Sequence, residues 1–151
     1  MLHCMDADGT VLDQLSRGEC LRLMGSVPVG RIVYTRQALP AVELVNFTLD
    51  DGDIVFRTDS GGKLAAATRG AVVAFEADSI DTVAQAGWSV TVIGYSQAVT
   101  SLEEIRRLER TGLASWAPGK RDHFIRIATT MVDGRRLRGR PITEGVNARS
   151  A

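Results

Sequence analysis

VNFTLDDGDIVFRTDSGGKL, residues 45–64, is the stretch from which the fold of this chain can be read. It opens inside a run, AVELVNFTLD at 41–50, whose side chains alternate over two faces as a strand requires. DDGD at 50–53 is a tight-turn signal, with Asp51 placed before Gly52, and IVFRTD at 54–59 returns as a second strand. Two glycines then end the period of two. GKLAAATRG at 62–70 is rich in alanine and closes on Gly70, which predicts a helix of about two turns.

The same signals continue in both directions. QLSRGECLRLMGS, 14–26, spaces Leu15, Cys20, Leu21, Leu23 and Met24 for a short helix, with Ser16 as its cap and Gly25 as its stop. VGRIVYT at 29–35 pairs as a strand with 41–50. AVVAFEAD at 71–78 and GWSVTVIGYSQAVT at 87–100 are further strands, the second long enough to need a bend at Gly94. SLEEIRRLER, 101–110, carries the capping-box pattern, Ser101 with Glu104 three residues on, and aligns Leu102, Ile105 and Leu108. Residues 123–139 supply one final strand. Five or six antiparallel strands with short helices at the crossings predict a mainly β protein closed into a small barrel, because closure hides the sheet edges.

Bulk properties bound the function. A chain of 151 residues with 44% hydrophobic composition carries one domain with a full core. Its 18 basic and 18 acidic side chains create no global field for nucleic acid or an anionic membrane. Apolar runs are short, and the opening MLHCMDADGT lacks the basic start of a secretory signal, so a cytoplasmic protein with reduced Cys4 and Cys20 is expected. His3, Cys4, Asp6 and Asp8 cluster in sequence, but a frayed terminus gives metal no fixed surroundings, and no metal site is expected. There is no Ser, His and Asp constellation and no carboxylate pair at recognisable spacing for hydrolysis.

The bend at 56–67, FRTDSGGKLAAA, gathers what a phosphate asks for. Arg57, Thr58 and Ser60 offer a cation and hydroxyls, Gly61 and Gly62 leave amides uncovered, and Lys63 sits in a first helical turn where the dipole disfavours a cation without a compensating anion. Leu64 after Lys63 excludes a Walker loop. On residue chemistry alone, an ordinary polar turn with a solvated lysine fits equally well.

The order LPAVELVNFTLDDGDIVFRTDSGGKLAAATRGAVVAFEAD, then GWSVTVIGYSQAVT, then DGRRL resembles the pyridoxamine 5′-phosphate oxidase-like family of flavin-binding split barrels over roughly residues 12–137. The resemblance implies a flavin-binding split-barrel domain at 12–140 between an N-terminal arm, 1–11, and a flexible tail, 141–151. It implies FMN, or alternatively a deazaflavin, with Arg57, Thr58, Ser60 and Lys63 near the ribityl phosphate and Asn46 under the ring. It also implies a homodimer with flavin at the subunit interface, so that Trp88, Trp116 and Arg121 complete the groove; core or dimer packing is the alternative for both tryptophans. WAPGKRDHF at 116–124 sets Lys120 and Arg121 beside an aromatic, where they meet an anionic substrate or simply solvent. The terminal RGRPITEGVNARSA lacks the Arg-Leu-Ala-Pro segment of vitamin B6 oxidation. The expectation is therefore an FMN-dependent oxidoreductase passing electrons between a reduced nicotinamide and a small molecule, the alternative being a non-catalytic split-barrel ligand-binding module.

Overall fold

Strands that alternate apolar and polar side chains must bury one face, and this chain does so by closing its sheet on itself. The computed structural model describes residues 3–5, 11–59 and 62–139. In chain order the elements are β1 (His3–Met5), β2 (Val11–Gln14), α1 (Arg17–Met24), β3 (Val29–Arg36), β4 (Leu39–Asp50), β5 (Asp53–Thr58) and α2 (Lys63–Thr68). They continue with β6 (Ala71–Asp81), β7 (Ala86–Ala98), α3 (Leu102–Glu109), β8 (His123–Ile127) and β9 (Met131–Arg138). Every pairing is antiparallel, and β3, β4, β5, β8, β7 and β6 form a closed ring of six strands. β9, β2 and β1 continue the sheet outward from β7.

The local signals act as their chemistry dictates. Asp51 and Gly52 take φ of 50° and 80°, the left-handed pair that matches a tight hairpin to the strand twist, and Asp50 faces Asp53 across it. Ser16 and Ser101 cap α1 and α3 by accepting the N–H groups of Glu19 and Glu104. The Glu104 carboxylate does not turn back to complete a capping box, because Arg126 holds it with two N–H groups.

Residues 123–139, expected as one strand, are two. β8 pairs with β5 and with Ser96–Ala98 of β7, whereas β9 pairs with Gly87–Ile93 of β7. β7 therefore forks along one edge, and the chain crosses at Ala128, whose N–H donates to the Tyr95 carbonyl at 3.0 Å. A Cβ on Gly94 would overlap the Ala128 carbonyl, so the glycine is needed for close approach at the split as well as for a bend. β2 is a strand that the sequence pattern did not predict; its four residues are too few to show a period.

Inside the ring, Ile32, Phe47, Ile54, Phe56, Phe75, Val92, Ile125 and Ile127 form the core, with the rings of Phe47 and Phe75 edge to face at 4.8 Å. Full burial of each such side chain contributes about 1.5–3 kcal/mol. β5 is buried on its outer face too, where Val55 packs with Phe124, Leu108 of α3 and Leu113 beyond it. That second cluster fixes the segment after α3 against the barrel wall, and this segment builds the site.

Candidate functional site

β4 and β5 run side by side toward α2, and the segment 113–121 lies across their ends. Between them is a cavity of about 360 Å³ whose walls include Glu43, Asn46, Arg57, Leu64, Trp116 and Arg121. The Arg57 guanidinium donates through Nε to the Arg121 carbonyl at 2.9 Å and through Nη1 to the Leu113 carbonyl at 3.1 Å, holding both ends of the segment. Its carbon also stacks 4.9 Å from the centre of the Phe124 ring, which keeps the fork flat and aimed. Asn46 fastens the middle: its Oδ1 accepts the Trp116 backbone N–H at 2.8 Å.

Donors remain. Guanidinium carries five N–H groups, and the two carbonyls occupy two of those on Arg57. The amide nitrogen of Asn46 has no partner among the described residues. Arg121 Nε is buried in the same walls without a hydrogen-bond partner among the described residues, an arrangement that costs stability unless an acceptor enters. Trp116 presents an indole that is 72% exposed at the rim. A cavity with two guanidinium groups, an amide and an open aromatic face is suited to an anionic molecule with a flat ring.

Of the residues that the sequence singles out, Asn46, Arg57, Trp116 and Arg121 meet at this cavity. Thr58 is buried at the end of β5 and its hydroxyl donates to the Asp59 carbonyl at 3.4 Å; it is behind the wall rather than on it. Trp88 is elsewhere in the chain, on β7 between Ser79 and Arg136, packed against the core. Lys120 points away and pairs with Asp122 at 3.2 Å on the surface. Ser60 lies outside the described residues, as do the side chains of Lys63 and of the N-terminal His3 and Cys4 and residues Asp6 and Asp8. The residue that caps α2 is Gly62, and among the described residues no side chain caps that helix.

Glu43 is the wall residue that the sequence reading passed over. It accepts a short hydrogen bond from the Tyr34 hydroxyl, and burial first, then this carboxylate, pushes the Tyr34 phenol upward so that it stays protonated and donating. A signal was present: Glu43 shares its strand face with Ala41, Val45 and Phe47, and a carboxylate among inward apolar residues needs a partner.

Comparison with known proteins accords with this architecture. Residues 16–136 match the family described as pyridoxamine 5′-phosphate oxidase. The uncharacterised protein Rv0080 of Mycobacterium tuberculosis is 39% identical over 129 residues, covering 82% of this chain and 84% of its own. The FAD binding protein of Mycobacterium smegmatis superimposes with a TM-score of 0.67 at 32% identity, over 84% of this chain and 99% of that one. A candidate pyridoxamine 5′-phosphate oxidase of Corynebacterium glutamicum gives a TM-score of 0.74, also at 32% identity, over 84% and 98% of the two chains. With the match running from α1 into β9 and the forked six-stranded barrel beneath it, this chain belongs to the pyridoxamine 5′-phosphate oxidase family.

Proposed function

We propose that this chain is a flavin-dependent oxidoreductase that holds FMN, or the FMN half of FAD, in the cavity between β4, α2 and the segment 113–121. The observation that carries the reading is the convergence on that cavity of Arg57 with unused donors, the Asn46 amide and the orphaned Arg121 Nε. The FAD binding protein at 32% identity supports the ligand class. A bound flavin supplies the electron-accepting and electron-donating centre that these side chains lack.

The residues then divide the work of holding it. Arg57 and Lys63 neutralise the phosphate, Ser60 adds a hydroxyl, and buried Thr58 fixes the bend that carries them. Asn46 donates its amide N–H to the ring edge. Trp116 shields the ring from water, and Arg121 holds an anionic small-molecule substrate beside it, while Lys120, paired with Asp122 outside the cavity, takes no part. A deazaflavin presents the same ribityl phosphate and is the alternative ligand.

The active form is a homodimer in this reading, with Trp88 reaching the groove from the second copy. Its support is an apolar row on the outer face: Val42, Val33, Ala74, Ile93 and Met131 are neighbours across β4, β3, β6, β7 and β9. Val42 and Met131 are 60% and 63% exposed, and a continuous row of this kind on a barrel wall is suited to self-association. Among the described residues no helix is long and apolar enough to cross a membrane.

Anaerobic mixing of flavin-loaded protein with a reduced nicotinamide tests the redox role. Bleaching of the flavin absorbance, restored by an acceptor, is expected. Flavin that binds but is not reduced by any nicotinamide or chemical donor would favour the non-catalytic module, a reading that gains from Arg57 and Asn46 already holding the segment 113–121.

A further inference from the structure

A second recess, of about 410 Å³, lies on the other side of α2, between Ala66 and Ala67 of that helix and Thr35, Arg36 and Gln37 at the end of β3. We propose that it binds the adenosine diphosphate moiety of a dinucleotide. Where that moiety belongs to FAD the inference rests on the flavin reading above; where it belongs to a nicotinamide dinucleotide it does not.

Three features of the recess support this. Arg36 is exposed and in no ion pair with a carboxylate among the described residues; one edge of its fork meets the Tyr34 hydroxyl, and its other N–H groups are left for a phosphate. The floor is Ala66 and Ala67, side chains that end at Cβ and leave a flat apolar surface on which a purine ring can lie. Finally, the hairpin turn that sets Gln37 in the wall is strained: Gln37 and Ala38 have φ of 51° and 63°, the left-handed region that glycine or asparagine would occupy at lower cost. Strain of this kind collects at ligand clamps, and the Gln37 amide it positions offers the donor and acceptor pair that an adenine edge reads.

α2 separates the two spaces, with Leu64 on the flavin side and Ala66 and Ala67 on this one. A dinucleotide could therefore place its two halves on either side of a single short helix.

Calorimetric titration of wild type, Arg36→Ala and Ala66→Leu with FMN, FAD and ADP tests the assignment. ADP alone is expected to bind wild type, and Arg36→Ala to weaken it by roughly tenfold to a hundredfold, the effect of losing a charge-assisted bond. Ala66→Leu, which fills the floor and keeps the charge, should give a similar loss with an unchanged circular dichroism spectrum. If FAD follows ADP while FMN is unaffected, the moiety is that of the flavin. If FAD and FMN stay equal in all three proteins and NADH binding to FMN-loaded protein falls instead, it is that of the nicotinamide. Absence of ADP binding to wild type would overturn the inference. So would equal weakening of FMN and FAD by Arg36→Ala, because Arg36 would then act through Tyr34 and Glu43 on the first cavity. ADP binding without any flavin binding would remove the proposed flavin function and leave this site standing.

Discussion

Asn46 and the backbone of Trp116, 70 residues apart, are joined by a 2.8 Å hydrogen bond that closes one side of the cavity. Asn46→Ala removes the only side-chain acceptor of that N–H among the described residues, while solvent can still reach it. Expected are a stability loss of about 0.5–1.5 kcal/mol and faster tryptic cleavage after exposed Lys120, followed by mass spectrometry.

Arg57 holds two carbonyls and one aromatic ring at once, so its removal should be felt more widely. Arg57→Ala is expected to cost about 1.5–3 kcal/mol in urea unfolding, and Arg57→Lys to recover little of it, because an ammonium cannot reproduce the planar fork. Full recovery by lysine would show that charge rather than geometry holds the segment.

Asp50 governs acid stability. Its hydrogen bonds from Arg107, offset in part by burial and joined by those from Arg126, hold the carboxyl down at about 2, against an ordinary 3.8. A depressed carboxylate stabilises the fold above its unfolded value and loses that contribution as pH falls through its folded one. Between about pH 4 and 2 the protein should lose about 1–2 kcal/mol through this group, after allowance for solvent screening. Asp50→Asn should flatten this part of the pH profile measured by thermal melting.

Two glycines should respond in opposite directions. Gly94→Ala pushes a methyl into the Ala128 carbonyl at the fork of β7 and is expected to cost about 3 kcal/mol or to prevent folding. Gly18→Ala, within α1 and with open space around it, should stabilise by about 0.5–1 kcal/mol.

Ile93→Glu places a charge in the middle of the apolar outer row. Light scattering over a range of concentrations should show a dimer for wild type and a monomer for the variant, with helix and strand content unchanged. Monomeric wild type would remove Trp88 from the cavity altogether.

Much of this architecture was legible in the chain. The Asp51–Gly52 turn, the serine caps and the alanine-rich α2 are local signals, each satisfied within a few residues, and they appear where the sequence puts them. The division of 123–139 was not legible, because its cause is Gly94, 34 residues upstream of Ala128, and composition does not register a steric gap made at a distance. The site behaves in the same way. Asn46 and Arg57 could be selected by type and position, and Glu43 by its place on an apolar strand face, but its partner Tyr34 is set by the pairing of two strands, and Trp88 falls away from a cavity that a single chain forms.

Whether the Arg57 cavity holds a phosphorylated flavin is decided by a fluorescence titration of wild type and Arg57→Ala with FMN and FAD. Saturable quenching is expected for wild type, with an affinity lower by roughly tenfold to a hundredfold for the variant, in line with a lost charge-assisted bond. Absence of quenching in wild type with either flavin, or equal affinities for the two proteins, would contradict the flavin assignment.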